Sequence, residues 1–267
     1  MEERNKIYFL SDFHLGIPDR ESSLKREKKI VEFLDQASKD ASDIYILGDI
    51  FDFWFEYKTV VPRGFVRLLG KIASISDLGI PIHIFIGNHD MWIFDYLPTE
   101  LGATLYREPI RKTYGNKKFL IGHGDGLGPG DHGYKFIKSV FRNPISQWLF
   151  ARFHPNFGIG MANFWSGRSR KKHWENDRKW TGDENEFLVQ YCKQELKKEQ
   201  IDFFIFGHRH LPIDMQIDPD SRYINLGDWI NYFTYAVFNG ETIELRSFQG
   251  NISTDHIAKS GHVQDRS

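Results

Sequence analysis

Apolar residues in this chain come in short blocks, and the blocks end on glycine or on a polar residue. Ile7-Tyr8-Phe9-Leu10, Ile44-Tyr45-Ile46-Leu47, Ile82-His83-Ile84-Phe85-Ile86, Lys118-Phe119-Leu120-Ile121 and Phe203-Phe204-Ile205-Phe206 are five of them. Four or five apolar residues without alternation predict a strand covered on both faces. Tyr45 is the exception within its block, and His83 reads as a satisfied core histidine. Tyr223-Ile224-Asn225-Leu226 predicts a sixth strand. Tyr235–Phe238 and Thr242–Leu245 flank Asn239-Gly240, a strong hairpin signal. Two amphipathic helices separate the early strands. One runs roughly from Ser22 to Ser38, with Ile30, Val31, Leu34 and Ala37 on one stripe. The other is marked by Phe65, Leu68, Leu69 and Ile72 and stops near Gly79 and Pro81. Strands alternating with helices predict an α/β fold.

The alternation stops between residues 126 and 183. That stretch is too long for an ordinary loop and predicts an inserted helical lid. The expected organisation is therefore one domain over residues 1–250, a lid over 126–183 within it, and a polar tail over 251–267. The chain has 267 residues, 40% of them hydrophobic, enough for one large packed core. Its net charge of -1 carries no basic field of the kind that attracts nucleic acid. The single Cys192 excludes an internal disulfide framework and fits a reducing compartment. Residues 1–6 run straight into the first strand, so no secretory leader is expected. No apolar run reaches the roughly 20 residues of a membrane span.

The polar residues just past each apolar block change the picture. The first block runs into Asp12 and His14, the second into Asp49, the third into Asn88, the fourth into His123, and the fifth into His208 and His210. The last four make that step through a glycine. Any one match is explained by a strand-ending turn; five in order, on five strands, are not. Imidazoles, carboxylates and an amide oxygen suit Mn, Fe or Zn better than Ca or Mg. Seven donors are too many for one tetrahedral zinc. They suit two ions about 3.5–4 Å apart, the spacing used in phosphoryl-ester hydrolysis. A bridging carboxylate must be short and rigidly held, which favours Asp49.

Asp12-x-His14, Gly48-Asp49-x-x-Asp52, Gly87-Asn88-His89-Asp90, Gly122-His123-Gly124-Asp125 and Gly207-His208-x-His210 together resemble the calcineurin-like metallophosphoesterase superfamily, over about residues 6 to 250. The resemblance implies a four-layer α/β/β/α sandwich holding two Mn ions, with Fe or Zn as alternatives. It implies that Asp12, His14 and His210 hold one ion, that Asn88, His123 and His208 hold the other, and that Asp49 bridges them around a nucleophilic hydroxide. Within the superfamily the spacings are most similar to the UDP-2,3-diacylglucosamine pyrophosphohydrolase family of lipid A biosynthesis. So are His123-Gly124-Asp125-Gly126-Leu127…Asp131-x-Gly133-Tyr134 and Leu226-Gly227-x-Trp229. That family releases UMP and 2,3-diacylglucosamine 1-phosphate by attack on the α-phosphorus. By the same resemblance Asp131 and Ser169 are expected to touch substrate, with Lys171 and Lys172 near the expected basic contact; Asn88, His89 and His208 are expected to touch it as well, His89 because Asn88 already offers the ligand at that strand end. The family carries Arg where this chain has His89. A His there can donate one hydrogen bond or a proton, and it is expected to act catalytically alongside Asp49.

The insert has its own signature. Residues 132–174 contain no Asp or Glu, while Lys135, Lys138, Arg142, Arg152, Arg168, Arg170, Lys171 and Lys172 are all basic. Phe141, Trp148, Phe153, Phe157 and Trp165 are interleaved with them as candidate acyl-chain contacts. Basic and aromatic together describe an interfacial segment, or a pocket for an anionic lipid. The expected partners are a lipid-nucleotide substrate and the cytoplasmic face of the inner membrane, with no nucleic acid and no protein partner. A nucleotide or lipid-phosphate phosphodiesterase is the competing enzyme reading. A non-catalytic scaffold would be signalled by lost ligands, and none is lost.

Overall fold

The computed structural model describes residues 4–249 except 131, 163, 165–179, 181 and 183–185. Among the described residues eleven strands form two sheets. The first has six, ordered β11-β10-β1-β2-β3-β4, from Ile243–Ser247, Thr234–Phe238, Lys6–Leu10, Ala41–Ile46, Ile82–Phe85 and Thr104–Tyr106. The second has five, ordered β5-β6-β7-β9-β8, from Ile110–Tyr114, Lys117–Ile121, Phe203–Phe206, Ser221–Leu226 and Pro212–Asp218. Strands β1 to β4 run parallel, as do β6, β7 and β9, while β10, β11, β5 and β8 run antiparallel to their neighbours.

Alternation along the buried strands builds three cores. Ile7 and Phe9 of β1, Phe119 and Ile121 of β6, and Phe203 and Ile205 of β7 meet between the sheets. Tyr8 and Leu10 face the other way, into a core shared with α1 (Arg20–Ala37), α2 (Val66–Asp77) and α3 (Tyr96–Leu101). Leu120, Phe204 and Phe206 face out under α6 (Phe187–Leu196). The layers are therefore α/β/β/α. Tyr45 belongs to the middle core after all: it is fully buried, stacks on Phe9 and His83, and its hydroxyl meets that of Tyr114 across the sheets at 2.5 Å. His83 is satisfied between Asp43 (3.1 Å) and the Tyr106 hydroxyl (3.2 Å).

The helices depart from the periodic pattern in small ways. Helix α1 starts at Arg20, because the Asp19 carboxylate caps it through the Ser22 N–H at 2.9 Å. Its buried stripe uses Phe33 where the pattern named Val31. Helix α2 has no side-chain cap of its own, and buried Glu27 of α1 accepts the Arg67 and Leu68 N–H groups instead. Between β6 and α6 lie α4 (His132–Arg142), α5 (Pro144–Phe150) and helical residues 155–162. Trp92 of the main body donates to the Phe141 carbonyl at 2.8 Å, and buried Phe150 packs on Phe55 and Trp92. Among the described residues no helix is long and apolar enough to cross a membrane.

Candidate metal centre

The loops that follow β1, β2, β3, β6 and β7 meet at one edge of the sandwich, three from the first sheet and two from the second. Main-chain hydrogen bonds sew them together. The Asp12 and His14 N–H groups donate to the carbonyls of Gly48 and Asp49 at 3.2 and 2.9 Å. The His89 N–H donates to Asp49 Oδ1 at 2.9 Å, and the His208 N–H donates to Asp12 Oδ2 at 3.0 Å. The approach is close enough to explain two of the glycines. A Cβ at Gly87 would collide with the Asp49 carboxylate, and one at Gly207 with Ser11 and Asp12.

Backbone strain is concentrated in the same place. Asp12, His14, Asp49, His208 and His210 all have φ between 43° and 70°. Non-glycine residues rarely enter this left-handed region, and holding each one there costs of order 1–3 kcal/mol. Only two other described non-glycine residues, Phe65 and Phe233, do so.

Among the described residues three groups of possible ligands result, and Asp49 is in two of them. Asp12, His14, Asp49 and His210 form one, Asp49, His123 and His208 another, and His14, Asp52 and His89 the third. Asp49 Oδ2 lies 3.5 Å from His14 Nε2 and 3.5 Å from His123 Nε2. Asn88 Oδ1 joins the second group, 3.1 Å from His123 Nε2 and 2.8 Å from His208 Nδ1. The His123 Nδ1–H donates to the Leu47 carbonyl at 2.6 Å, which turns its Nε2 inward. Asp12 Oδ1, Asp49 Oδ2 and His14 Nε2 are buried and make no hydrogen bond. Orphaned polar atoms of this kind are costly unless something coordinates them, and a pair of cations fits both their chemistry and their grouping.

The electrostatics agree with that fit. Burial alone would raise the Asp49 carboxyl, but the charges of His123 and His89 outweigh it and hold it well below the usual range. Burial would lower His123, yet Asp49 lifts it to about 10. Burial prevails at His208 and pulls it down to about 4. The cluster thus draws a proton onto one of its imidazoles, as expected of a site built for positive charge.

The expected substrate residues divide by exposure. Asn88, His89 and His208 are half-buried, while Asp12, His14, Asp49, His123 and His210 are buried. The open side of the cluster is therefore lined by Asn88, His89 and His208. Phe141, Trp148, Phe153 and Phe157 are all exposed on the helices between β6 and α6. Asp131, Ser169, Lys171, Lys172 and Trp165 lie outside the described residues. The sequence pattern contains Asp52 but assigns it no role. The structure places its carboxylate 3.8 Å from His14 Nδ1 and 3.6 Å from His89 Nδ1. The only signal for it was its place in Gly48-Asp49-x-x-Asp52. The insert also touches the centre: Tyr134 and Lys138 of α4 hold Asp125 Oδ2 at 2.5 and 2.6 Å, two residues beyond His123.

A model of the calcineurin-like phosphoesterase family matches residues 5–212. A UDP-2,3-diacylglucosamine hydrolase of Porphyromonas gingivalis is 40% identical over 258 residues, covering 92% of this chain and 98% of that protein. Proteins of the same name from Actinobacillus succinogenes and Pseudomonas aeruginosa are 30% and 27% identical, covering 84% of this chain and 92% and 90% of their own length.

Proposed function

The chain belongs to the calcineurin-like phosphoesterase family and is a metal-dependent hydrolase; from that premise we propose that its substrate is UDP-2,3-diacylglucosamine, cleaved at the pyrophosphate to UMP and 2,3-diacylglucosamine 1-phosphate. One observation carries the choice of a lipid substrate. The helix that holds Asp125, beside His123, belongs to a segment whose Phe136, Ile145, Trp148 and Phe157 are all more than half exposed. A small polar nucleotide needs no such wall, whereas two acyl chains do.

Asp12, His14 and His210 would hold one Mn ion, Asn88, His123 and His208 the other, and Asp49 both; Fe or Zn also suits these donors. Ions held there supply positive charge for the phosphate oxygens and acidify water near neutral pH. The chain's own groups do the rest. Asn88, His89 and His208 line the open side and orient the diphosphate for attack by water at the α-phosphorus. Asp131, Ser169, Lys171 and Lys172, outside the described residues, are assigned to substrate contact as well. Phe141, Trp148, Phe153, Phe157 and Trp165 form the acyl wall of a lid over residues 126–183. Its basic and apolar surface would also rest against the anionic inner face of a membrane.

The test is hydrolysis in oxygen-18 water, with the products read by mass spectrometry. Label in UMP supports the reading. Label only in the sugar phosphate places the attack on the other phosphorus. Cleavage of a generic phosphodiester with none of the lipid makes this a nucleotide phosphodiesterase instead.

A further inference from the structure

The turn after β9 carries a carboxylate that the chemistry above does not use. Asp228 is fully buried. Its Oδ1 accepts the N–H groups of Ile230 (3.0 Å), Asn231 (2.7 Å) and Tyr232 (3.3 Å), and its Oδ2 accepts Asn231 Nδ2 at 2.9 Å. Four donors from its own turn fix the carboxylate in one orientation. That orientation places Oδ2 3.5 Å from His210 Nδ1. The other nitrogen of the same ring, Nε2, lies 3.6 Å from Asp12 Oδ1, on the side of the donor cluster. The turn grips the centre a second time, because the Trp229 N–H donates to the Asp12 carbonyl at 3.1 Å. The Trp229 ring is wedged against Phe13 and Phe33, so the turn is anchored in the core.

We propose that Asp228 is a positioning residue of the metal centre: it accepts the Nδ1 proton of His210 and so keeps the Nε2 lone pair aimed at Asp12, His14 and Asp49. The inference rests on the reading that His210 is a ligand. A neutral imidazole carries one proton, and the group facing one nitrogen decides which lone pair is free for a metal. A carboxylate behind a ligating histidine also raises its basicity, and losing such a partner typically weakens metal binding 10- to 100-fold. Asp228, buried and 3.5 Å from Nδ1, stands where such a partner would stand. A carboxylate that served only its own turn would do neither.

Asp228→Asn separates these roles. The amide oxygen can still accept the three backbone N–H groups of Ile230, Asn231 and Tyr232, while the charge facing His210 is gone together with the acceptor for Asn231 Nδ2. Equilibrium dialysis against graded Mn should show two ions per wild-type chain. In Asp228→Asn one of the two should bind roughly 10- to 100-fold more weakly and return at high Mn, with the metal-free melting temperature close to wild type. His210→Asn should lose the same ion. Wild-type protein that binds no pair of ions defeats the reading of the centre itself. Two wild-type ions, one lost in His210→Asn and none weakened in Asp228→Asn, defeats only the proposal. Should Asp228→Asn fold poorly, nitrogen-15 NMR of the zinc-loaded wild type decides. His210 with Nδ1 protonated and Nε2 coordinated supports the assignment, and the reverse overturns it.

Discussion

His89 Nδ1 lies 3.0 Å from the backbone carbonyl of Asp52 and 3.6 Å from its carboxylate. A carbonyl can only accept, so Nδ1 carries the proton. Burial pushes this imidazole down to about 4, so at neutral pH it is uncharged and Nε2 is its acceptor nitrogen. Its ring also meets His14 edge-on at 4.7 Å. Asp52 thus orients the one half-buried histidine that belongs to neither of the donor groups sharing Asp49. His89→Ala should lower kcat by about 10²–10⁴-fold, the usual worth of a positioned acid or base, while metal content stays at the wild-type level. Loss of one metal equivalent, read by elemental analysis, would make His89 a ligand instead.

The two oxygens of Asp49 are divided in their duties. Oδ1 accepts the His89 N–H, whereas Oδ2 makes no hydrogen bond and stands between His14 and His123. Asp49→Asn keeps the shape and can keep the Oδ1 contact, but it removes the shared charge. Turnover should be abolished and metal content should fall below two ions per chain, with the far-ultraviolet circular dichroism of the wild type. Wild-type-like turnover after rigorous purification would sink the two-ion assignment.

The strands that bear the expected ligands were legible because each is buried on both faces and reads as an unbroken apolar block. The missed strands are marginal or lie at edges. In β5 half-buried Ile110 alternates with exposed Arg111, β4 has three residues, and β8 opens on Pro212. Helices α3 and α6 escaped because six and ten residues give the 3.6 period little room to show. The convergence of Asp12 through His210 could be read from spacing alone. The left-handed backbone at Asp12, His14, Asp49, His208 and His210 could not, since Asp and His enter that region more often than most residues yet at only a small minority of positions. Nor could the roles of Asp52 and Asp228, whose partners His89 and His210 are brought to them by the fold.

In the metal-free protein two half-buried histidines should each cost stability on mild acidification. Burial holds His89 and His208 near 4, so between about pH 4 and 6.5 each is neutral when folded and protonated when unfolded. Burial and then Asp49 push Asp90 up to about 7, so in this window it keeps a proton when folded that the unfolded chain has released. His123, opposed by burial but lifted to about 10 by Asp49, is protonated in both states. Each histidine gains a proton on unfolding and so makes stability fall as pH drops from about 6.5 toward 4, while Asp90, and Glu186, whose carboxyl burial also raises, act in the opposite sense. Urea unfolding in chelator at several pH values reads the slope of stability with pH, and His89→Asn should make it less positive. An undiminished slope in the variant would show that His89 is not a neutral buried base.

The helices between β6 and α6 present two kinds of aromatic residue, and these should respond oppositely to truncation. Phe150 is buried against Phe53, Phe55 and Trp92, so it is the anchor that docks the segment on the main body. Phe150→Ala should cost roughly 3–5 kcal/mol of stability, as for a core phenylalanine, and lower the melting temperature. Trp148 and Phe157 are 56% and 61% exposed, and the Arg152 guanidinium covers the Trp148 ring at 4.5 Å. Serine at both positions should leave the melting temperature nearly unchanged. If these rings contact acyl chains, the double variant should lose kcat/KM on the diacylated substrate and keep it on a small phosphodiester. Chain length gives the complementary test. Each methylene removed from water is worth about 0.8 kcal/mol, so shortening the acyl chains should lower wild-type kcat/KM up to about fourfold per buried carbon. The same series on the double variant should fall less steeply, because part of the surface that covers those carbons is gone. Equal kcat/KM for long, short and absent chains would show that the exposed aromatic face serves something other than the lipid.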